Sequence, residues 1–326
     1  MFFYIVRRIA VTIPLILLGL TLTFFIMRLA PGDPTTQYIN PDFDPAVKAL
    51  MMKKFGLDKP LPVQYWRWLT SFLQGDFGIS FDRSRPVSEV IQGAVGNTLL
   101  LSSLALVISL LTGVILGIIS AIKQYSKFDN SMTVLSLFLY SMPSFWLGLM
   151  LIILFALILG WLPAGGTISI NYDYLSPLGQ FWDRVKHLIL PVFVLGIGSA
   201  ASTMRYMRGS MLEIIRQDFI RTARAKGLSE KMINLKHATR NAIIPVVTLF
   251  GLSIPFLLSG AVITEIVFAW PGMGRVMITS IFQRDYPVTI AVTAIAFTTV
   301  MVGNLVADLL YAVVDPRIRY GGGSGE

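Results

Sequence analysis

The sequence predicts an all-α integral membrane protein with six membrane-spanning helices. Three observations carry the prediction: 54% of the 326 residues are hydrophobic, only 14% are charged, and the mean hydropathy is +0.68. Soluble domains carry roughly a quarter charged residues, so this chain must place much of its surface in lipid. Apolar runs long enough to cross a bilayer recur along its length.

The first apolar run extends from Ile9 to Met27 and follows Arg7 and Arg8. It has about the length that the hydrocarbon core requires, and it is longer than the apolar part of a signal peptide. We therefore expect a first membrane helix with its N-terminus in the cytoplasm.

The polar stretch 31–96 is predicted to lie outside the membrane. It contains Pro62, which favours the first turn of a short helix. Apolar residues then follow at helical spacing: Val63, Trp66, Leu69 and Leu73. The aromatic residues Tyr65, Trp66 and Trp68 suit packing at a membrane–water interface. A sugar-binding aromatic platform is the alternative.

Five more spans are expected after this segment. They are residues 97–122, 131–159, 188–207, 243–269 and 288–313. Gly113 and Gly117 form a G-x-x-x-G pair in the second span, and Gly196 and Gly198 lie among the small residues of the fourth. Small residues allow membrane helices to approach closely, so these positions are predicted to serve helix packing.

Glu265 lies near the outer end of the fifth span. A carboxylate at membrane depth is costly unless it is paired or reaches water, so Glu265 is a candidate acid of a transport pathway. Its closeness to Trp270-Pro271-Gly272 supports a structural interpretation, in which it bonds the backbone of this turn.

The interval from Arg208 to Pro245 is the longest strongly polar stretch in the second half of the chain. Helix formers fill residues 218–226, Gly227 offers a C-terminal stop, and Ser229 can cap the next helix. A basic loop between two spans is expected on the cytoplasmic side. It is either a solvated loop that only sets topology, or a docking surface with a small face at Ala223 and Gly227.

The distribution of charge predicts that both chain ends are cytoplasmic. Cations cluster at the inner segments, while the short outer loops carry only Arg184, Lys186, Arg275 and Arg284. We divide the chain into a first helix with its extracytoplasmic segment (1–93) and a five-helix core (94–313) whose cytoplasmic loop covers about 209–241. A cytoplasmic tail (314–320) and a glycine-rich stretch typical of an added linker (321–326) follow.

Several chemistries have no support in the sequence. There is no cysteine, and His187 and His237 have no companion at metal-ligand spacing. The nucleotide motif G-x-x-x-x-G-K-[ST] and the common hydrolase motifs are absent, so an enzyme is not expected. The net charge of +9 sits at span ends and in one loop, which argues against nucleic acid as a partner. A secondary transporter or channel stays open on composition.

The octapeptide R-T-A-R-A-K-G-L resembles the EAA loop of ABC importer permeases, the segment that docks into the ATPase subunits. Its residues are Arg221, Thr222, Ala223, Arg224, Ala225, Lys226, Gly227 and Leu228. Arg221-Thr222-Ala223 stands where Glu-Ala-Ala is expected, and Ile244-Pro245 matches the end of the motif. The leading arginine and the long spacer are features of the peptide branch.

The resemblance extends over nearly the whole chain. It covers R-R-I…R-L-A-P-G-D-P ending at Pro34, F-G-L-D-K-P-L from Phe55, G-D-F-G-I-S-F from Gly75, E-I-V-F-A-W-P-G-M-G from Glu265 and D-P-R-I-R-Y ending at Tyr320. These segments resemble the B-type permease subunit of bacterial oligopeptide or dipeptide ABC importers.

The resemblance implies the type I ABC importer permease fold in the bacterial inner membrane. The implied partners are a homologous second permease subunit, two ATP-binding subunits, an extracytoplasmic substrate-binding protein, membrane lipid and a peptide substrate. No cofactor is expected on this chain, since ATP and Mg²⁺ would be held by the ATPase subunits. Nickel chelates, glutathione and oligosaccharides are the alternative cargoes, because their importers share this subunit type.

Overall fold

A computed structural model describes residues 2–29, 58–253, 257 and 261–314. Regular structure in these residues is helical, apart from an isolated bridge between Ile79 and Pro86. Four helices are long and apolar enough to cross a membrane, and a bent pair of helices is a fifth candidate. The all-helical membrane architecture is thereby confirmed. The count of six spans is not reached within the described residues.

The helices of the described residues follow one another along the chain. They are α1 (Phe2–Leu29), α2 (Leu61–Leu73), α3 (Val87–Ile122), α4 (Lys127–Ser141), α5 (Ser144–Leu151), α6 (Pro177–Ile215), α7 (Asp218–Ala225), α8 (Glu230–Met232), α9 (Thr239–Ala242), α10 (Ile244–Ser253), α11 (Val262–Val267), α12 (Met273–Phe282) and α13 (Tyr286–Val314). Two π-helical stretches, Ile152–Ile158 and Ile233–Ala238, continue α5 and α8.

The long parallel pair α3 and α6 forms the centre of the fold. Both helices begin about ten residues before the predicted spans, at Val87 and Pro177. Hydropathy marks where lipid contact begins, whereas local caps decide where a helix begins. Ser176 accepts a hydrogen bond from the backbone N–H of Gly179 and so starts α6 well outside the apolar run. At 36 residues, α3 is about 54 Å long, beyond the ~30 Å of hydrocarbon.

The predicted third span, 131–159, is not one continuous helix. The chain bends by 103° between α4 and the helical stretch that begins at Ser144. Pro143 lies at the break and has no backbone N–H to continue the ladder of α4. Met142 before it adopts an extended conformation, as residues preceding proline commonly do.

Parts of the prediction fall outside the described residues. The fifth span is described as α10 and α11, while Pro255 between them lies outside the described residues. Residues 31–57 and the tail from residue 315 onward, which contains Arg317 and Arg319, also lie outside the described residues.

Helix α2 lies against α1 and α13, and its existence confirms the sequence prediction. The buried face differs from the predicted one, since Trp66 and Leu73 are 65% and 67% exposed. The side chains that pack inward are Tyr65, Trp68, Leu69 and Phe72. The Tyr65 hydroxyl also shares a hydrogen bond of 2.7 Å with Thr21. The aromatic side chains thus attach α2 to α1.

Helix α12, which was not predicted from the sequence, packs on the N-terminal part of α3. The turn between α12 and α13 holds Asp285, whose buried carboxylate accepts hydrogen bonds from the Ser80 hydroxyl (2.5 Å) and the Phe81 N–H (3.0 Å). Asp285 therefore connects the segment before α3 to the start of α13 through these hydrogen bonds.

Candidate functional site

The basic loop leaves the membrane helix α6 and turns at Arg216 into α7. Helix α7 ends at Ala225, and Gly227 follows with φ +77°, a conformation that glycine adopts without strain. The N–H of Leu228 reaches the carbonyl of Ala223 at 3.3 Å, which closes the helix end. Ser229 accepts a hydrogen bond from the N–H of Met232 and starts α8. Both the predicted stop and the predicted cap are confirmed.

The underside of α7 is buried within the chain. Ile220 and Ala223 pack against Ile233 and Ala238 of the π-helical stretch and against Met211 of α6. Ala223 is only 7% exposed, so its methyl group fills an internal contact. The sequence predicted that Ala223 would face a partner protein. Instead, Ala223 packs α7 against other helices of its own subunit.

The outward side of α7 carries charge and small polar groups. Arg221 pairs with Asp218 at 3.0 Å, with side chains that are 77% and 91% exposed, and this pair contributes little to stability. The remaining predicted residues that face solvent are Thr222, Arg224, Ala225, Lys226 and Gly227. No atom of the described residues lies within 4 Å of a Cβ placed on Gly227. A partner could therefore approach this side of α7 without displacing anything.

The Arg224 guanidinium links α7 to the next helical segment. It bonds the carboxylate of Glu230 at 2.7 and 3.3 Å. This hydrogen-bonded pair lowers the pKa of the Glu230 carboxyl and raises the pKa of Arg224. Both groups are thus charged at neutral pH, and the pair is a solvent-exposed contact between α7 and α8.

Behind the loop, Arg208 of α6 is paired with the buried Asp129 of α4 at 2.7 Å. Asp129 also accepts hydrogen bonds from the Ser120 hydroxyl and the Tyr125 N–H. Sequence analysis did not identify Asp129 as a functional residue. The sequence pattern that could have drawn attention to Asp129 is local: Ser126 precedes it by three residues, as in a helix N-cap. In the structure, the Ser126 hydroxyl accepts a hydrogen bond from the N–H of Asp129.

Glu265 lies at the opposite end of the core and is fully buried. Its carboxylate accepts hydrogen bonds from the Thr98 hydroxyl (2.8 Å) and from the N–H of Arg275 in the first turn of α12 (3.0 Å). A Cβ on Gly272 would come within 2.4 Å of the same carboxylate. Glu265 thus joins α11, α3 and the N-terminus of α12, where a helix favours negative charge.

The four predicted packing glycines differ in their surroundings. A Cβ on Gly113 would lie 2.7 Å from the Thr203 side chain, and one on Gly117 would lie 2.7 Å from the Met204 carbonyl oxygen. A Cβ on Gly196 would lie 3.1 Å from a backbone oxygen of α3. These three glycines are at the α3–α6 contact. Gly198 has no atom of the described residues within 4 Å of a Cβ and lies on another face of α6.

The part of the chain that the structure describes contains no group of three or more metal-binding side chains. His187 is buried in the outer part of α6, where its Nδ1 lies 2.8 Å from the Asp183 carbonyl oxygen. His237 belongs to the π-helical stretch of the loop. The two histidines therefore lie at separate ends of the molecule.

Known proteins resemble this chain over its full length. Residues 113–320 match the family described as binding-protein-dependent transport system inner membrane component, and residues 1–102 match its N-terminal companion. The chain is 46% identical over 319 residues to the oligopeptide transport system permease protein AppB of Bacillus subtilis, which covers 97% of this chain and 99% of the relative.

Two further relatives carry other cargo names. One is the di/tripeptide transport system permease protein DppB of Pseudomonas aeruginosa, 41% identical over 97% of this chain and 98% of the relative. The other is the glutathione transport system permease protein GsiC of Salmonella typhimurium, 40% identical over 97% of this chain and 99% of the relative. With these matches and its several apolar helices, the chain belongs to the inner membrane components of binding-protein-dependent transport systems.

Proposed function

We propose that this chain is the permease subunit of an ATP-driven importer of di- and oligopeptides and forms half of the translocation pathway. One observation carries the proposal: the R-T-A-R-A-K-G-L segment is a short helix with a solvent-facing outer side and an underside buried against the membrane helices. A loop that only set topology would not need such an anchorage. The peptide cargo is supported by the names of the relatives.

The proposed topology has six spans with both ends in the cytoplasm of a bacterial cell. The bent pair serves as the third span, and α10 and α11 contribute to the fifth. The domain limits follow the sequence: 1–93, 94–313 with the cytoplasmic loop 209–241, the tail 314–320, and the glycine-rich residues 321–326. The excess of cations in the inner segments supports this orientation.

The proposed mechanism gives this chain no catalytic step. Two partner ATPase subunits bind ATP and Mg²⁺, a binding protein delivers the cargo, and a homologous permease supplies the other half of the pathway. Closure of the ATPases would push on the outer side of α7, through Arg221, Thr222, Ala225 and Lys226. The nonpolar cluster under α7 and the Asp129–Arg208 pair would pass this displacement to α3, α4 and α6, and so bias the permease between two states.

The proposal is tested by reconstituting the chain into liposomes with its partner subunits. We expect uptake of labelled di-, tri- and longer peptides only when ATP and the ATPase subunits are present. Uptake by the chain without ATPase subunits would establish the secondary transporter or channel instead.

Glutathione is the second candidate cargo, because one relative that matches 97% of this chain is named for it. A competition panel in the same liposomes separates the candidates. Excess unlabelled tripeptide should suppress uptake of a labelled peptide more strongly than glutathione does at equal concentration. The reverse order would assign the cargo to glutathione.

A further inference from the structure

Between residues 198 and 209, one face of α6 is left uncovered by the described residues and carries polar side chains and glycines. The opposite face packs on α3 through Gly196, Thr203 and Met207. The uncovered face has half-buried and exposed residues, which are Gly198, Ser199, Ser202, Arg205, Tyr206 and Gly209.

Other uncovered faces of the membrane helices are different in character. On α3 the exposed side chains between Val107 and Ile115 are four apolar residues and Thr112, whose hydroxyl donates to the Ile108 carbonyl of its own helix. Such a face suits lipid. A guanidinium does not, because lipid tails cannot hydrogen-bond it. The uncovered face of α6 is therefore directed at protein or at water.

Arg205 is the charged group of this face, and its side chain lies against α4. Its guanidinium carbon lies 4.7 Å from the ring centroid of Tyr140 on α4. The inner end of α4 is fixed to α6 by the Asp129–Arg208 pair. Tyr140 lies eleven residues after Asp129, about 16 Å further along the helix axis. Arg205 thus packs on the C-terminal part of α4, away from the Asp129–Arg208 pair.

The surroundings of Arg205 hold the cation without neutralising it. Among the described residues, no carboxylate lies within salt-bridge distance of Arg205. The ring of Tyr140 attracts the guanidinium through its π-face. Helix α4 ends one residue later, at Ser141, and its last carbonyl groups favour a cation there. The guanidinium is thus held beside Tyr140 and has no carboxylate partner among the described residues.

We propose that Arg205 binds the terminal carboxylate of the peptide as it passes between the two permease subunits. This inference rests on the proposed function. A carboxylate at the C-terminus is shared by linear peptides of any sequence, so one fixed cation serves a pathway that accepts varied side chains. Gly198 and Gly209 leave room beside the charge, since no described atom lies within 4 Å of a Cβ at either position. A broken helix beside a ligand group is a recurrent arrangement in membrane transporters.

The experiment uses the complete importer in liposomes and two cargoes, a tripeptide and its C-terminal amide. Both must first be shown to bind the extracytoplasmic binding protein by direct titration. Uptake by each variant is divided by uptake of the same cargo by the parent complex, so that the preference of the binding protein cancels.

For Arg205→Gln we expect uptake of the free tripeptide to fall about tenfold, the ratio that one charge-assisted contact of roughly 1.4 kcal/mol supplies. Uptake of the amide should change less than about twofold, because it makes no such contact. Tyr140→Leu should give a smaller loss in the same direction, and Tyr140→Phe, which keeps the ring, should resemble the parent. Lys123→Gln, an exposed cation at the end of α3, is the matched charge control.

Each other result contradicts the inference. An equal loss for both cargoes would show that Arg205 pairs within the assembly, for example with an acid of the second permease subunit. No loss for either cargo would show that it contacts only lipid phosphate or water. A parent complex that imports neither cargo would instead refute the proposed function itself.

Discussion

The guanidinium of Arg208 reaches both carboxylate oxygens of Asp129, at 2.7 and 2.8 Å. The same carboxylate accepts hydrogen bonds from Ser120, in the last turn of α3, and from Tyr125, in the following turn. One buried acid therefore joins the inner ends of α3, α4 and α6. Since α6 continues into the basic loop, this joint fixes the loop relative to three membrane helices.

Replacing Asp129 with Ala should destabilise the subunit strongly. The substitution leaves a partly buried guanidinium without its anion, and breaking a buried pair in this way costs about 3 kcal/mol. The measurement is unfolding of the purified importer in detergent, followed by tryptophan fluorescence. We expect a clear fall in the unfolding midpoint.

The matched control is Asp218→Ala, which removes the partner of Arg221 in the exposed pair of α7. Its effect on unfolding should stay below about 1 kcal/mol, because solvent screens that pair. Equal midpoints for the Asp129→Ala and Asp218→Ala complexes would mean that the buried joint does not hold the helices together.

Gly117→Ala should also destabilise the fold, through overpacking. The new Cβ would lie 2.7 Å from the backbone oxygen of Met204, so α3 and α6 must separate. Overpacking of this kind costs about 1–3 kcal/mol. Gly198→Ala is the control for stability, since no described atom lies near its Cβ. The same unfolding experiment compares the two, and a larger loss for Gly198→Ala would contradict the assigned helix contact.

Local signals of the basic loop were sufficient to predict its helices. Gly227 marks the end of α7 because few other residues adopt a φ of +77° without strain, and Ser229 starts α8 because its hydroxyl accepts a backbone hydrogen bond. Hydropathy likewise located the four long apolar helices α1, α3, α6 and α13, since lipid contact demands long apolar runs.

Features that depend on distant residues were not predictable from the sequence. Pro143 was visible in the third span, but the size of the bend depends on what α5 packs against. Asp129 and Arg208 are 79 positions apart, and no local pattern connects them. The burial of Ala223 depends in the same way on the π-helical stretch that follows α8.

Glu265→Gln tests whether the charge of the buried acid takes part in transport. The glutamine oxygen can still accept the N–H of Arg275, and its amide can face the Thr98 hydroxyl. We expect a modest loss of stability and near-parent uptake by the assembled importer. Glu265→Ala should destabilise far more, because it leaves both donors without an acceptor. A Glu265→Gln complex that assembles and stays folded but imports nothing would assign the charge to the pathway.

Gly227→Val tests the proposed coupling role of α7. A β-branched residue at φ +77° costs about 1–2 kcal/mol in backbone strain, although the space around Gly227 is open. The end of α7 should therefore shift while the membrane helices remain in place. We expect normal insertion and assembly, continued ATP hydrolysis, and less uptake for each ATP consumed. Uptake and hydrolysis are measured together in the same liposomes.

Gly227→Asn separates backbone strain from surface contact, because asparagine tolerates a positive φ but adds a side chain. If strain at the helix end disturbs coupling, the Asn variant should transport nearly as well as the parent while the Val variant does not. If both variants lose coupling equally, the open space at Gly227 is filled by a partner in the assembled importer, and the close approach itself matters. Full uptake by the Gly227→Val complex at normal abundance would contradict the coupling role of α7. It would show that a shift of the C-terminal end of α7 does not affect ATP-driven uptake.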